Sequence, residues 1–186
     1  KMISLVTGGA GFVGSHLTDN LIENGSKVIV IDNLSTGEEK NINKNADFIE
    51  GSLEEINLKQ IFQKVDYIFH AAALPRIQPS FDNPEEHDVA NVQNTLKVLK
   101  AAKSNSVKKI IYSGSSSIYG NPSEIPTSEN ARANPLNPYS LQKYTAEQYG
   151  LLLGKKWDIP FLSLRYFNPY GERSFNKKNP LNAYSS

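Results

Sequence analysis

Cysteine is absent from the 186 residues. This excludes disulfides, thiolate metal sites and a cysteine nucleophile, and it fits a reducing compartment. The sequence also has no apolar run approaching the length of a membrane span. An excess of one charge is missing too: 20 Lys and Arg face 19 Asp and Glu, for a formal net charge of +1. Neither nucleic acid nor an anionic membrane is therefore implied as a partner. The 3 histidines, His16, His70 and His87, are scattered without ligand spacing, so no metal site is expected. No low-complexity tract or internal repeat is found. The first apolar run starts within a few residues of Lys1, so no signal peptide is expected. A soluble cytoplasmic protein is the expectation.

What the sequence does contain is an alternation of short apolar runs and helix-like segments. Residues 3–6, 27–31, 47–50, 66–70, 109–113 and 161–166 read as strands, and 12–24, 53–63, 84–104 and 139–155 as helices. The strands are nearly all apolar, as expected when helices cover both faces of a parallel sheet. In the 84–104 helix Val89, Val92, Leu96 and Leu99 recur at helical spacing, as core residues do. Strand–helix alternation of this kind gives parallel strands joined by right-handed crossovers. The predicted fold is one α/β domain, a doubly wound parallel sheet of the Rossmann type, spanning 1–186.

The first strand runs into Thr7-Gly8-Gly9-Ala10-Gly11-Phe12-Val13-Gly14, and a helix follows at once. Glycines between a strand and a helix permit a tight turn and close approach of backbone to a pyrophosphate, which the helix N-terminus then attracts. The second strand ends at Asp32, whose carboxylate can accept bonds from both adenosine ribose hydroxyls and would repel a 2′-phosphate. NAD is thus favoured over NADP. Asn33, Ser35 and Thr36 could add polar contacts or simply form the turn.

Two more polar groups fall at carboxyl ends of strands. One is the run Ser113-Gly114-Ser115-Ser116-Ser117-Ile118-Tyr119-Gly120; the other is Tyr139-Ser140-Leu141-Gln142-Lys143, opening a helix after Pro138. Tyr139 and Lys143, four apart, share a helix face. A tyrosine titrating near 10 is a poor base, and a neighbouring ammonium together with the charge of oxidised nicotinamide would lower that value. Tyr139 could then exchange a proton with a substrate hydroxyl, and Ser115 could hold the same oxygen.

These residues, with His70-Ala71-Ala72-Ala73 and Arg165-Tyr166-Phe167-Asn168-Pro169, resemble the extended short-chain dehydrogenase/reductases. More narrowly, they resemble the NAD-dependent epimerase/dehydratase family, typified by UDP-sugar 4-epimerases. The resemblance implies a catalytic triad of Ser115, Tyr139 and Lys143. It implies cofactor contacts from Gly8, Gly11, Phe12, Val13 and Gly14, from Asp32, Asn33, Ser35 and Thr36 at the ribose, and from Ser52 and Leu53 at the adenine. Ala71, Ala72, Ala73 and Asn91 would line the path to the nicotinamide, and Phe167 would touch the cofactor. Ser80 and Asn168 would face a nucleotide-sugar.

Serine stands at position 52, where many family members carry an aspartate. Ser116 and Ser117 stand where the dehydratase branch has an acid pair, which argues for epimerase. The implied activity is NAD-dependent epimerisation at C4 of a nucleotide-linked hexose through a 4-keto intermediate, by a protein that acts as a homodimer. The alternatives are another nucleotide-sugar conversion (dehydratase, decarboxylase or reductase) or a catalytically silent NAD-binding module. Members of the family continue beyond this length, so 168–186 would begin the substrate-binding region, with the C-terminal substrate domain largely absent.

Overall fold

The computed structural model describes residues 1–174, so positions 175–186 of the expected substrate-binding region lie outside the described residues. Six strands form one sheet: β1 (Ile3–Thr7), β2 (Lys27–Asp32), β3 (Asp47–Glu50), β4 (Tyr67–His70), β5 (Lys109–Ser115) and β6 (Phe161–Tyr166). Their order is β3-β2-β1-β4-β5-β6, and every neighbouring pair is parallel. The chain winds outward from β1 to β3, then crosses back to β4 and winds the other way. That reversal opens a crevice at the carboxyl ends of β1 and β4, where doubly wound sheets receive ligands.

The strands form where they do because both sheet faces are covered. Leu5, Ile31, Ile68 and Ile110 pack on one face with Phe62 and Leu99, all at most 1% exposed. Val6, Val28 and Val30 pack on the other against Leu17, Leu21 and Ile22 of α1 (Phe12–Glu23). Among the described residues no helix is long and apolar enough to cross a membrane, and no group of His, Asp and Glu is placed to hold a metal ion.

Three elements differ from expectation. The helix predicted over 53–63 shortens to α2 (Leu58–Ile61) plus a 3-10 turn (Phe62–Lys64), because the Asn57 side chain accepts the Gln60 N–H and starts the helix there. A short helix, α3 (Ile77–Asp82), stands where no apolar periodicity announced one. The run predicted over 84–104 is divided into α4 (Pro84–Asp88), a π-helical turn (Val89–Gln93) and α5 (Asn94–Lys103). Val92 and Leu99 are core, but the wider turn leaves Val89 on a cavity wall. Beyond β5 lies α6 (Pro138–Trp157), close to the helix expected there.

Candidate active site

The carboxyl ends of the strands surround a cavity of about 1380 Å³. One end is built by the turn between β1 and α1. Gly8 has φ +73°, and a Cβ there would stand 2.7 Å from the Ala72 nitrogen; at Gly14 a Cβ would stand 2.1 Å from the Gly8 carbonyl oxygen. Both positions must therefore be glycine for the turn to close. Gly11 is different: a Cβ would meet only the Gly8 oxygen, at 3.3 Å, so its lack of a side chain chiefly keeps the cavity open.

Gly11 is also the N-cap of α1, and the first amide satisfied within the helix is that of Ser15, 3.0 Å from the Gly11 oxygen. No side chain caps this end and no acidic residue stands in the first turn. A bare positive helix end thus faces the cavity beside Phe12 and Val13, a fit for a pyrophosphate.

Asp32, 9% exposed, sits across the turn. Its two carboxylate oxygens accept the Ala10 amide at 2.9 Å and the Leu34 amide at 2.8 Å, bracing both loops. Each oxygen retains acceptor capacity toward a ribose hydroxyl. Asn33 is a turn former, accepting the Ser35 amide at 3.1 Å and hydroxyl at 2.7 Å. Ser35 and Thr36 line the same wall, as do Ser52, Leu53 and the loop Ala71 to Ala73.

At the other end, β5 carries Ser115, whose hydroxyl pairs with Ser117 Oγ at 2.8 Å and accepts the Ser117 amide at 3.2 Å. Asn137 caps α6 by accepting the Ser140 amide at 2.9 Å, and Pro138 opens it, so Tyr139 emerges in the first turn. The Ser115 side chain lies close enough to the Tyr139 phenol to favour its ionised form. One turn on, Lys143 is 3% exposed with Nζ 4.2 Å from the centre of the Tyr112 ring. Ser115, Tyr139 and Lys143 therefore line the same cavity as the glycine turn, together with Phe167 and Asn168.

Two expected residues do not line it. Ser80 is fully buried: its hydroxyl donates to the Ile77 carbonyl at 2.6 Å and accepts the Tyr139 amide at 3.0 Å, so it seats the start of α6. Asn91, 1% exposed, sits in the π turn and holds the loop from behind. Its side chain accepts the Leu74 amide at 2.9 Å and donates to the Leu74 carbonyl at 3.1 Å and to Gln142 Oε1 at 3.2 Å.

The electrostatics of the site follow from burial. Tyr139 is not lowered in the protein alone: burial raises it above its usual range, against the Ser115 side chain and the Arg76 charge, which pull it down. Lys143 is itself pushed down to about 7 by burial, with Glu147 opposing. Arg76 was not anticipated; it caps no predicted helix and lies in a loop, yet it lines the cavity with a backbone φ of +97°. His70 is kept neutral, lowered to about 3 by burial and by the Lys143 charge, and its ring nitrogens lie 2.7 Å from Thr7 Oγ1 and 3.0 Å from Thr95 Oγ1. It packs beneath the loop, held between the two threonine hydroxyls.

The profile of the NAD dependent epimerase/dehydratase family matches residues 4–184. A Methanocaldococcus jannaschii protein named provisionally as a UDP-glucose 4-epimerase is 41% identical over 172 residues, covering 91% of this chain and 56% of the relative. Among solved structures, UDP-N-acetylglucosamine 4-epimerase of Methanobrevibacter ruminantium, in complex with UDP-N-acetylmuramic acid, superposes with a TM-score of 0.90 at 37% identity, covering 94% of this chain and 57% of that one. The Thermotoga maritima UDP-glucose 4-epimerase, with UDP-glucose, also gives 0.90, at 40% identity and 93% and 58% coverage. The chain thus spans little more than half the length of the relatives it matches.

Proposed function

The chain belongs to the NAD-dependent epimerase/dehydratase family, and from that premise we propose that it is the cofactor-binding and catalytic part of an NAD-dependent UDP-hexose 4-epimerase. The observation that carries this reading is a single cavity. At one end it offers a bare helix N-terminus and Asp32, and at the other Ser115, Tyr139 and Lys143. The glycine turn fits a pyrophosphate, and Asp32 fits unphosphorylated ribose hydroxyls. NAD, when bound, supplies a reversible hydride acceptor.

The residues of the chain do the rest. Tyr139 takes the proton of the sugar 4-hydroxyl as C4 becomes a ketone, and Ser115 holds that oxygen. The proton returns from Tyr139 when C4 is reduced on its opposite face. Tyr139 needs help to ionise in a buried site. The charge of Arg76 and that of oxidised nicotinamide supply it. Ser116 and Ser117 are poor acids, which disfavours elimination of water. The complete protein acts in the cytoplasm as a homodimer whose α6 faces meet, an arrangement in which the exposed Leu141, Tyr149 and Leu152 would be covered.

The test uses the full-length protein incubated with UDP-glucose and with UDP-N-acetylglucosamine, followed by proton NMR. The C4 epimer should accumulate without added NAD, and Tyr139→Phe should stop turnover while NAD stays bound. Stoichiometric consumption of cofactor, or no conversion of any UDP-hexose, would overturn the proposal. Sedimentation of the full-length protein checks the dimer.

A further inference from the structure

One turn beyond Lys143 on the same face of α6, Glu147 is 1% exposed and carries a carboxylate. Its Oε1 accepts Arg165 Nη2 at 2.7 Å, and its Oε2 accepts Arg165 Nε at 3.1 Å and the Ser163 hydroxyl at 2.7 Å. The same guanidinium reaches the other way. Nη1 donates to the Tyr119 hydroxyl at 2.7 Å and to the Glu129 carbonyl at 3.0 Å, while its central carbon lies 5.2 Å from the centre of the Tyr119 ring. Tyr119 ends the 3-10 turn (Ser116–Tyr119) that follows directly on Ser115. One guanidinium on β6 therefore ties the helix bearing Tyr139 and Lys143 to the turn that continues from Ser115.

Burying an ion pair is a poor way to gain stability, since a well-packed apolar pair of equal volume is often as good or better. What an apolar pair cannot supply is geometry. The planar fork of arginine makes bonds at fixed angles in two directions at once. Neither Glu147 nor Arg165 lines the cavity, whereas Tyr119 and Ser115 both do. The pair thus acts on the reacting groups from behind.

We propose that Arg165, held by Glu147, is a positioning residue that clamps the Ser116–Tyr119 turn to α6 and so keeps the Ser115 hydroxyl in register with the Tyr139 phenol. The inference rests on the reading of Ser115, Tyr139 and Lys143 as the reacting groups. Misplacement of a reacting group by about 1 Å can cost roughly 100-fold in rate, so a clamp of this kind has a measurable effect without touching substrate.

The experiment compares full-length wild type with Arg165→Lys, which keeps the charge but cannot span Glu147 and Tyr119 together. Tyr119→Phe, which removes the Arg165–Tyr119 bond and the longer one from Tyr119 to the Glu129 carbonyl at 3.4 Å without changing charge, and the neutral pair Glu147→Gln with Arg165→Met complete the set. Three quantities are read on NAD-loaded protein: kcat and KM for the UDP-hexose, Tm, and the midpoint of Tyr139 phenolate absorbance taken as a difference against Tyr139→Phe in each background. The groups acting on Tyr139 are Ser115, Arg76 and Tyr112, and these, with Lys143 over the Tyr112 ring, are kept in every variant.

The expected result for Arg165→Lys is a kcat lower by roughly 10- to 100-fold with KM and NAD content unchanged. Its phenolate midpoint should move upward as the Ser115 side chain leaves its place, and Tyr119→Phe should show a smaller change in the same direction. A fall in Tm with kcat per NAD-bound molecule and phenolate midpoint both unchanged would reduce the pair to a structural brace and overturn the proposal. Should wild type convert no UDP-hexose, the functional reading fails, and the phenolate midpoint still decides the clamp.

Discussion

Lys143 shows how a single residue can serve chemistry against stability. Its folded value of about 7 lies below the ordinary 10.5, so between these limits the unfolded chain binds more protons than the folded one. Stability therefore rises with pH across that window, and the full cost of burying the ammonium is felt below about 7. Lys143→Met should melt higher than the parent well below pH 7, with the gain shrinking as pH climbs toward 10.5, while turnover is lost; scanning calorimetry over pH checks this. His70 behaves differently. It is neutral in both states above its ordinary 6.5, but as pH falls from 6.5 toward 3 only the unfolded chain takes up the proton, and stability is lost. His70→Gln should flatten that acid limb in urea titrations, since glutamine can still bond Thr7 or Thr95 without charging.

Among the elements, the interrupted helix from α4 to α5 matters most to the site. The π turn brings Asn91 inward against Leu74, and the Thr95 hydroxyl donates to the Asn91 carbonyl at 2.8 Å. The loop Ala71 to Leu74 thus rests on a side chain that never reaches the cavity. Asn91→Ala should cost about 2–3 kcal/mol, because it strands the buried polar groups it served. It should also weaken NAD binding through the loosened loop; denaturant unfolding and titration calorimetry read the two effects separately. Retention of full NAD affinity would limit Asn91 to the core.

At the scale of the whole molecule, the cavity is walled by loops from both halves of the sheet, from the glycine turn to Asn168. A ligand filling it ties elements that the fold alone joins only at the crevice. NAD at 100 times its Kd should add about 2.7 kcal/mol to unfolding free energy, seen as a rise in Tm and as slowed amide exchange in the loops around the crevice. NADP should give much less, since the Asp32 carboxylate, with Glu38 on the same wall, would repel a 2′-phosphate. Equal stabilisation by the two cofactors would remove Asp32 from the ribose site.

What the sequence determined by itself was everything set by local period and covalent spacing. The alternation of strands and helices fixed a doubly wound sheet, the glycine turn had to follow β1 and open α1, and four residues of helix put Tyr139 and Lys143 on one face. Glu147 lay open to the same reasoning, four residues further on. The tertiary structure decided what depends on burial and on contact between distant segments. Burial raised Tyr139 and lowered Lys143, neither of which helical spacing could show. Folding took Ser80 and Asn91 out of the cavity and made them supports, and it brought Arg76 into the cavity from a loop that has no periodicity to read. It also joined Glu147 to Arg165 and Tyr119 across three elements. Spacing along a chain places side chains on a face, but their ionisation and their partners follow from what is packed against that face.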